Sequence, residues 1–212
     1  MRHARVRALL GASYGKLPDA KILLLGVGGV GGFCLDCLVR TGVRDITIVD
    51  YDRFEESNQN RQIGSENVGA VKVAHLHTLY PSVTPIEAKV TAAWVKGFDF
   101  GPYDLVIDAI DDMRAKVAVA HRVSEKLISS TGGAKKVDPT RIELASIWQT
   151  HGDPLARKFR YELKKSGFGG DFQVAFSPEP PLCSDLGSFV GVTGAFGLTL
   201  CSAAIRKIAC LE

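Results

Sequence analysis

The sequence predicts an α/β fold: a Rossmann-like, mostly parallel sheet with helices on both faces, extended by additional strands in the C-terminal half. Apolar strand segments alternate with helix-like segments over the first part of the chain. A glycine run from Gly26 to Gly32 separates the first predicted strand from the first predicted helix, as in nucleotide-binding turns. The chain has 212 residues, 46% of them hydrophobic, which is enough to bury a full core. We therefore expect a single domain over residues 1–212.

Two halves with different patterns are predicted within this domain. The nucleotide-binding half, residues 1–133, contains predicted strands at 22–26, 46–50, 86–90, 105–107 and 127–131, and predicted helices at 30–41, 67–79 and 112–126. The half expected to contact substrate and a second subunit, residues 134–212, contains predicted strands at 141–147 and 173–176 and helices at 154–165 and 189–208. Asp153 before Pro154 is a strong helix-start signal.

Composition limits the classes of protein that the chain can belong to. The net charge of +3 is too small by itself to indicate nucleic acid binding. Five cysteines without disulfide-framework spacing indicate a reducing compartment, and we expect a cytoplasmic protein without a secretory signal. The apolar segment 189–208 is long enough to raise the question of a membrane span. We interpret it as a core or dimer-interface helix, with no stable membrane insertion, because the rest has a soluble α/β pattern.

The glycine run is the clearest ligand-binding signal. Gly26, Gly28, Gly29 and Gly31 let the backbone approach a phosphate at the amino end of a helix. Asp50 ends the second predicted strand, near the ~20-residue spacing at which an acid binds a ribose. These features alone would also suit a dinucleotide and a dehydrogenase.

Polar residues after Asp50 favour a triphosphate instead. Asn58, Arg61 and Lys72 are predicted to face the phosphates, because a guanidinium can hold two phosphate oxygens and an ammonium adds a point charge. Asp52 is expected to line the same nucleotide pocket. The pattern lacks the Lys-Ser or Lys-Thr pair that would follow the glycines of a P-loop.

Carboxylates at the end of the fourth predicted strand indicate a magnesium site. In open parallel sheets ligands bind beyond the carboxyl ends of strands, and carboxylates there suit Mg²⁺ bridged to phosphate oxygens. Asp111 is the candidate metal ligand. Asp108 is expected to cap a helix or tune the site, and Asp112 to be a helix N-cap. Mg²⁺, a ribose acid and several cations together point to ATP.

The glycine run with Asn58, Arg61, Lys72 and Asp111 resembles the ubiquitin-activating-enzyme superfamily, and the resemblance covers nearly the whole chain. It implies that Asp50 holds the ribose, that Asn58, Arg61 and Lys72 meet the phosphates, and that Asp111 is linked to Mg²⁺. It also implies a homodimer in which an N-terminal arginine reaches the phosphates of the other protomer. Arg5 fits that position best, with Arg7 close behind. The catalytic set is then Arg5, Arg61, Lys72 and Asp111.

The second half resembles the tRNA threonylcarbamoyladenosine dehydratases, through the segments 130–140 and 153–158. This resemblance implies ATP-dependent cyclisation of a modified adenosine in tRNA through an acyl-adenylate. The alternative is a sulfur-carrier-protein adenylyltransferase that activates a C-terminal glycine carboxylate. Paired cysteines typical of that group are missing from the second half, and Cys34 and Cys37 are interpreted as buried structural residues. A non-catalytic scaffold protein is a third alternative. The resemblance is also compatible with sulfur-mobilising protein partners.

Clustered cations in the second half are candidates for tRNA contacts. They are Lys135, Lys136, Arg157, Lys158, Arg160, Lys164 and Lys165. Residues 157, 160 and 164 have the spacing of one helical face, with Phe159 and Tyr161 interleaved. An ordinary solvated helix face explains the same pattern on sequence alone. His151 is interpreted as a surface residue of a loop, and Cys183 as a bystander.

Overall fold

A computed structural model describes residues 2–211, and Met1 and Glu212 lie outside the described residues. Its strands are β1 (Lys21–Leu25), β2 (Asp45–Asp50), β3 (Val83–Glu87), β4 (Leu105–Asp108), β5 (Leu127–Ser130), β6 (Glu143–Ser146) and β7 (Gln173–Phe176). They form one sheet in the order β3-β2-β1-β4-β5-β7-β6. Every neighbouring pair is parallel except β6 with β7. The predicted fold class is confirmed, and strands from both predicted halves belong to the same sheet.

Helices cover both faces of the sheet because its central strands are apolar on both sides. The helices are α1 (Ala4–Leu10), α2 (Gly31–Thr41), α3 (Lys72–Leu79), α4 (Ala92–Gly97), α5 (Met113–Val123), α6 (Pro154–Lys165) and α7 (Val190–Ala209). Ile22 and Leu24 of β1 belong to the core beneath α2, α3 and α7. Leu23 and Leu25 belong to the core beneath α4, α5 and α6. The predicted two-sided burial is therefore observed along β1.

Several boundaries differ from the sequence predictions. The helices α1 and α4 are additional elements, each of seven residues or fewer. The helix predicted at 67–79 begins only at Lys72. The third strand is shifted to Val83–Glu87 and includes Pro85. Because β3 lies at the edge of the sheet, Pro85 can enter a strand, since an edge position does not require its missing N–H.

The long C-terminal helix α7 packs against α2. Among the described residues it is the one helix with the length and hydropathy of a membrane span, but 61% of its most apolar window is buried in the fold. Cys37 of α2 and Cys201 of α7 form a disulfide across this contact. The cysteine spacing did not predict this bond, and the bond gives Cys37 the structural role that the sequence analysis assigned to it. Cys34 is a buried free thiol, as expected.

Candidate functional site

A cavity of about 770 Å³ opens at the carboxyl ends of the parallel strands. Its wall is built from the glycine turn, the ends of β2 and β4, the start of α3 and the segment after β5. It includes Gly26, Gly28, Gly29, Asp50, Asp52, Asn58, Arg61, Lys72, Asp111, Ser130, Thr131 and Gly133. A volume of this size suits a nucleotide. The structure therefore brings together nearly all residues that the sequence predicted for one site.

The glycine turn has two separate structural requirements. Gly26 has a φ of +84°, and a side chain there would lie 2.8 Å from the carbonyl oxygen of Ala109. Gly31 lies behind the cavity wall, and a side chain there would overlap the carbonyl oxygen of Gly26. Gly31 therefore has a packing role, because it lets α2 begin directly against the turn, and its role in ligand binding stays a prediction. Gly28 and Gly29 line the cavity at the amino end of α2, where backbone N–H groups favour an anion.

Asp50 is fixed in the wall by backbone hydrogen bonds. The N–H of Val27 donates to Oδ2 of Asp50 at 2.9 Å, and the N–H of Asp52 donates to Oδ1 at 2.9 Å. Each carboxylate oxygen has a second lone pair that can accept a further bond. Asp50 is thus held rigidly beside the glycine turn, as a ribose-binding acid requires.

Lys72 and Asp52 form an ion pair in the same wall. The Nζ atom of Lys72 lies 3.1 Å from Oδ2 of Asp52, with the lysine side chain 6% exposed and the aspartate side chain 46% exposed. The backbone N–H of Lys72 also donates to the carbonyl oxygen of Asp52 at 3.0 Å. Because Lys72 is the first residue of α3, these contacts aim its ammonium group along the cavity wall.

Arg61 lies directly over the glycine turn. A methyl group added at Gly29 would lie 3.2 Å from Cγ of Arg61. Nη1 of Arg61 donates to the carbonyl oxygen of Ser57 and to Oδ1 of Asn60, both at 2.8 Å. These bonds fix the guanidinium while Nε and Nη2 have no partner among residues 2–211, so they can donate to an anion.

Asn58 is buried beside Arg61 and has a structural contact of its own. Its Oδ1 atom accepts the backbone N–H of Glu55 at 3.2 Å, which completes a reciprocal capping box at the start of a short 3₁₀ helix. Asn58 still lines the cavity. It therefore supports the loop that carries Arg61 as well as facing the nucleotide pocket.

The three acids at the carboxyl end of β4 have three different environments. Asp108 is fully buried and pairs with Lys116 of α5 at 2.7 Å. Asp112 caps α5 by accepting the N–H of Ala115 at 2.8 Å, as predicted. Asp111 is exposed in the cavity wall. Asp112 also lines the cavity, but its Oδ1 atom is engaged in the cap, whereas both oxygens of Asp111 lack a partner among residues 2–211. Asp111 is therefore the acid best placed to bind a metal ion there.

The partners of Asp108 were missed by the sequence reasoning. Lys116 donates to Asp108 and to Oγ of Ser129 at 3.2 Å, and Ser129 donates to Asp108 at 2.6 Å. The N–H of Ile110 donates to Oδ1 of Asp108 at 3.1 Å, next to Asp111. The sequence did contain a signal, since Lys116 lies among apolar residues of the predicted helix 112–126. A charge buried in the core needs a partner of opposite charge.

A second buried network lies behind the segment after β5. Oδ1 of Asp153 caps α6, accepting the N–H groups of Leu155 and Ala156. Its Oδ2 accepts from Thr131 and from Nζ of Lys136, which lies 3.1 Å away. Lys136 is only 7% exposed, so its predicted role in a basic surface is wrong. Burial of this ion pair instead anchors α6 to the cavity wall.

The N-terminal arginines lie outside the cavity of their own chain. Arg5 is exposed on α1. The guanidinium carbon of Arg7 lies 4.5 Å from the ring centroid of Tyr14, a cation–π contact that occupies Arg7. His151 is an exposed loop residue 3.7 Å from Glu143, consistent with its surface interpretation.

Comparisons with known proteins agree with this geometry. The model of the ThiF family matches residues 1–209. The chain is 37% identical over 179 residues to the tRNA threonylcarbamoyladenosine dehydratase of Bacillus subtilis, a match that covers 78% of this chain and 70% of that protein. It is 37% identical over 162 residues to the Escherichia coli protein of the same name, covering 71% of this chain and only 60% of that relative.

Solved structures give the same relationship. The crystal structure of E. coli tRNA N6-threonylcarbamoyladenosine dehydratase in complex with ATP has a TM-score of 0.89 and 33% identity, covering 98% of this chain and 93% of that chain. A complex of that protein with AMP matches equally well. The chain therefore belongs to the ThiF family and, within it, to the tRNA threonylcarbamoyladenosine dehydratases.

Proposed function

We propose that this chain uses ATP to dehydrate threonylcarbamoyladenosine in tRNA, closing it to a cyclic form through an acyl-adenylate. The observation that carries the proposal is the convergence of Arg61, Lys72 and Asp111 on one cavity at the glycine turn. Two cations and an exposed carboxylate there suit a triphosphate with a divalent cation. The relatives with ATP and AMP bound support the same nucleotide.

The first step needs charge neutralisation more than proton transfer. The substrate carboxylate is ionised at neutral pH. It attacks the α-phosphorus of ATP, the bond from that phosphorus to the bridging oxygen breaks, and pyrophosphate leaves. Arg61 and Lys72 would stabilise the negative charge on the phosphates during this displacement. Asp50, held by two backbone N–H groups, would fix the ribose so that the α-phosphate is presented to the carboxylate.

Ring closure completes the reaction. The carbamoyl group of the same substrate attacks the activated carbonyl carbon and loses a proton, and AMP leaves with the former carboxylate oxygen. The net change in the nucleoside is the loss of one water. Both reacting groups belong to one substituent, so the protein needs only to hold it in a ring-forming conformation.

Mg²⁺ fits the donor set at this site. Among residues 2–211 no group of three or more His, Cys, Asp or Glu side chains is arranged to hold a metal. Mg²⁺ does not need such a cage, because it commonly uses one or two carboxylates together with substrate phosphates. Asp111 would be its protein ligand, and the ion would supply neutralisation of phosphate charge.

We also propose a homodimer in which Arg5 of one protomer reaches the phosphates bound by the other. Arg5 is exposed and lies away from its own cavity, whereas Arg7 is engaged with Tyr14. We expect the dimer to act on tRNA in the cytoplasm, which cell fractionation would test.

The sulfur-carrier alternative has less support from the cysteines. Cys34 is buried, Cys37 is bonded to Cys201, and Cys183 and Cys210 are the exposed thiols of the described chain. A zinc site of the usual kind needs four ligands, typically two close pairs of cysteines. Sulfur-mobilising proteins could still be partners, and co-purification from cells would test this.

A reconstituted assay would test the main proposal. Purified protein, ATP and Mg²⁺ would be incubated with tRNA carrying threonylcarbamoyladenosine, with the same tRNA lacking the modification as a control. We expect pyrophosphate release and the mass loss of one water from the nucleoside with the modified tRNA only. Equal pyrophosphate release with both tRNAs, or adenylation of a small ubiquitin-like protein instead, would contradict the proposal.

A further inference from the structure

The outer face of α6 carries an unusual concentration of charge. The helix contains five cations, Arg157, Lys158, Arg160, Lys164 and Lys165, and one carboxylate, Glu162. This excess is larger than the net charge of +3 for the whole chain. A local field of that kind attracts a polyanion, whereas the small net charge of the protein does not.

Packing separates these cations into two classes. Ala156, Phe159 and Leu163 bury the inner face of α6 in the core. Arg160 is half-buried, and its Nη1 atom donates to the carbonyl oxygen of Thr150 at 2.7 Å. Arg157, Lys158, Lys164 and Lys165 are exposed, and no salt bridge engages them within residues 2–211. Lys164 has one further contact, because its Nζ atom lies 5.8 Å from the ring centroid of Trp148. The sequence analysis placed residues 157, 160 and 164 on one cationic face. That prediction is wrong for Arg160, whose guanidinium has a structural role.

An exposed aromatic side chain lies between the four exposed cations. Tyr161 is 61% exposed and follows Arg157 by four residues and precedes Lys165 by four, so it shares their face. A tyrosine ring between cations provides a stacking platform for a base beside contacts for its phosphates. An ordinary solvated helix face does not require an exposed ring at this position.

The position of α6 connects this face to the cavity. Leu155, in the first turn, lines the cavity wall, and Asp153 ties the start of the helix to Thr131 in the same wall. The helix then extends ~15 Å to Lys165. A strand whose modified nucleoside enters the cavity would thus continue along the cations, over the length of a few nucleotides.

We propose that the outer face of α6, formed by Arg157, Lys158, Tyr161, Lys164 and Lys165, docks the tRNA strand next to the modified nucleoside, with Tyr161 stacking on an unpaired base. The proposal rests on the proposed function, since it assumes that an RNA is the substrate. Arg160 and Lys136 are excluded from this surface because each is committed to the protein.

Binding of fluorescent tRNA to the full-length protein would test the surface. The variant Arg157→Glu/Lys158→Glu is compared with Lys16→Glu/Arg44→Glu, which makes the same charge change at exposed positions next to the amino ends of β1 and β2. We expect the α6 variant to lose at least about tenfold in affinity and the control to stay within about twofold. Replacing both cations by alanine should lower the salt slope by about 0.7 per lost phosphate contact.

Tyr161 gives a second, charge-independent measurement. Tyr161→Ala should weaken tRNA binding about tenfold, and Tyr161→Phe should restore it, because stacking needs the ring and not the hydroxyl. ATP binding by each variant shows that the cavity is intact. If the wild-type protein and the α6 variant both bind tRNA with the same high affinity, the docking surface is wrong but the proposed function is not affected. Wild-type protein that binds no tRNA would overturn the proposed function as well.

Discussion

Lys116 and Asp108 form an ion pair of 2.7 Å in which both side chains are at most 1% exposed. Ser129 donates a further hydrogen bond to the same carboxylate oxygen, and the other oxygen holds the N–H of Ile110. The pair thus links α5 and β5 to the turn that carries Asp111 into the cavity. A buried charge without its partner is strongly unfavourable, so this turn depends on both residues.

Removing the cation of this pair should destabilise the fold. Lys116→Met leaves the Asp108 carboxylate buried and unpaired, and we expect a loss of about 3–5 kcal/mol in the free energy of unfolding. Urea denaturation followed by circular dichroism would measure it. The double variant Lys116→Met/Asp108→Asn is the control, since it removes both charges and should recover part of the loss. Wild-type stability of Lys116→Met would contradict the structural role of the pair.

Asp111 and Asp112 are neighbours with separable effects. Asp111→Asn should reduce pyrophosphate release and raise the Mg²⁺ concentration needed for half-maximal activity by roughly tenfold, about 1.4 kcal/mol, while leaving thermal unfolding unchanged. Asp112→Ala should cost ~1 kcal/mol of stability through loss of the α5 cap and leave the Mg²⁺ dependence as in wild type. An Mg²⁺ titration and a melting curve on both variants would decide. If Asp112→Ala changed the Mg²⁺ dependence and Asp111→Asn lowered the stability instead, the assignment of Asp111 as the metal ligand would be wrong.

Lys72 should matter to catalysis more than to binding. Lys72→Ala removes one preorganised cation from the phosphate region, and loss of a single such group typically costs on the order of 10²–10³ in kcat. Pyrophosphate release at saturating ATP would measure this. Asp52→Asn is the matched variant, because it removes the partner of Lys72 while keeping the ammonium group, and it should retain far more activity. Equal losses in the two variants would mean that the ion pair itself is what the site needs.

The sequence was sufficient to predict the glycine turn, the strand end at Asp50 and the helix caps at Asp112 and Asp153, because each depends on residues close together in the chain. It was insufficient for the buried pairs of Asp108 and Asp153. Their partners, Lys116 and Lys136, come from other elements, so their burial is set by tertiary packing. Lys136 illustrates the difference. The dipeptide Lys135-Lys136 predicts two exposed charges, but Lys136 is buried.

Edge effects and short helices account for the remaining differences in the fold. The third strand was predicted at 86–90 but spans 83–87, where Pro85 is tolerated because β3 lies at the edge of the sheet. The helix α4 spans six residues, too few for its periodicity to be detected. In the site, Gly31 fitted the nucleotide fingerprint, but its close approach to Gly26 is a packing requirement that the fingerprint does not reveal.

Two glycine substitutions should separate folding from phosphate binding. Gly31→Ala places a methyl group against the carbonyl oxygen of Gly26, and we expect it to cost about 1–3 kcal/mol of stability. At Gly28 the nearest atom to an added methyl group is Nε2 of Gln62, 3.7 Å away, so Gly28→Ala should fold normally. Because Gly28 lines the cavity, its ATP affinity should fall roughly tenfold, about 1.4 kcal/mol. Calorimetric melting and ATP titration would test both expectations. Normal ATP binding by a well-folded Gly28→Ala would show that phosphate does not approach the turn there.

Cysteine accessibility should follow burial and the α2–α7 disulfide. Burial raises the pKa of the Cys34 thiol far above its ordinary value, so at neutral pH it lacks the thiolate needed for alkylation. In the native protein, iodoacetamide should therefore label the exposed Cys183 and Cys210 and spare Cys34. Unfolding without reductant should add Cys34, and only reduction should add Cys37 and Cys201. Peptide mass mapping at each stage distinguishes the five sites. Labelling of Cys37 and Cys201 in unfolded, unreduced protein would show that the disulfide is absent.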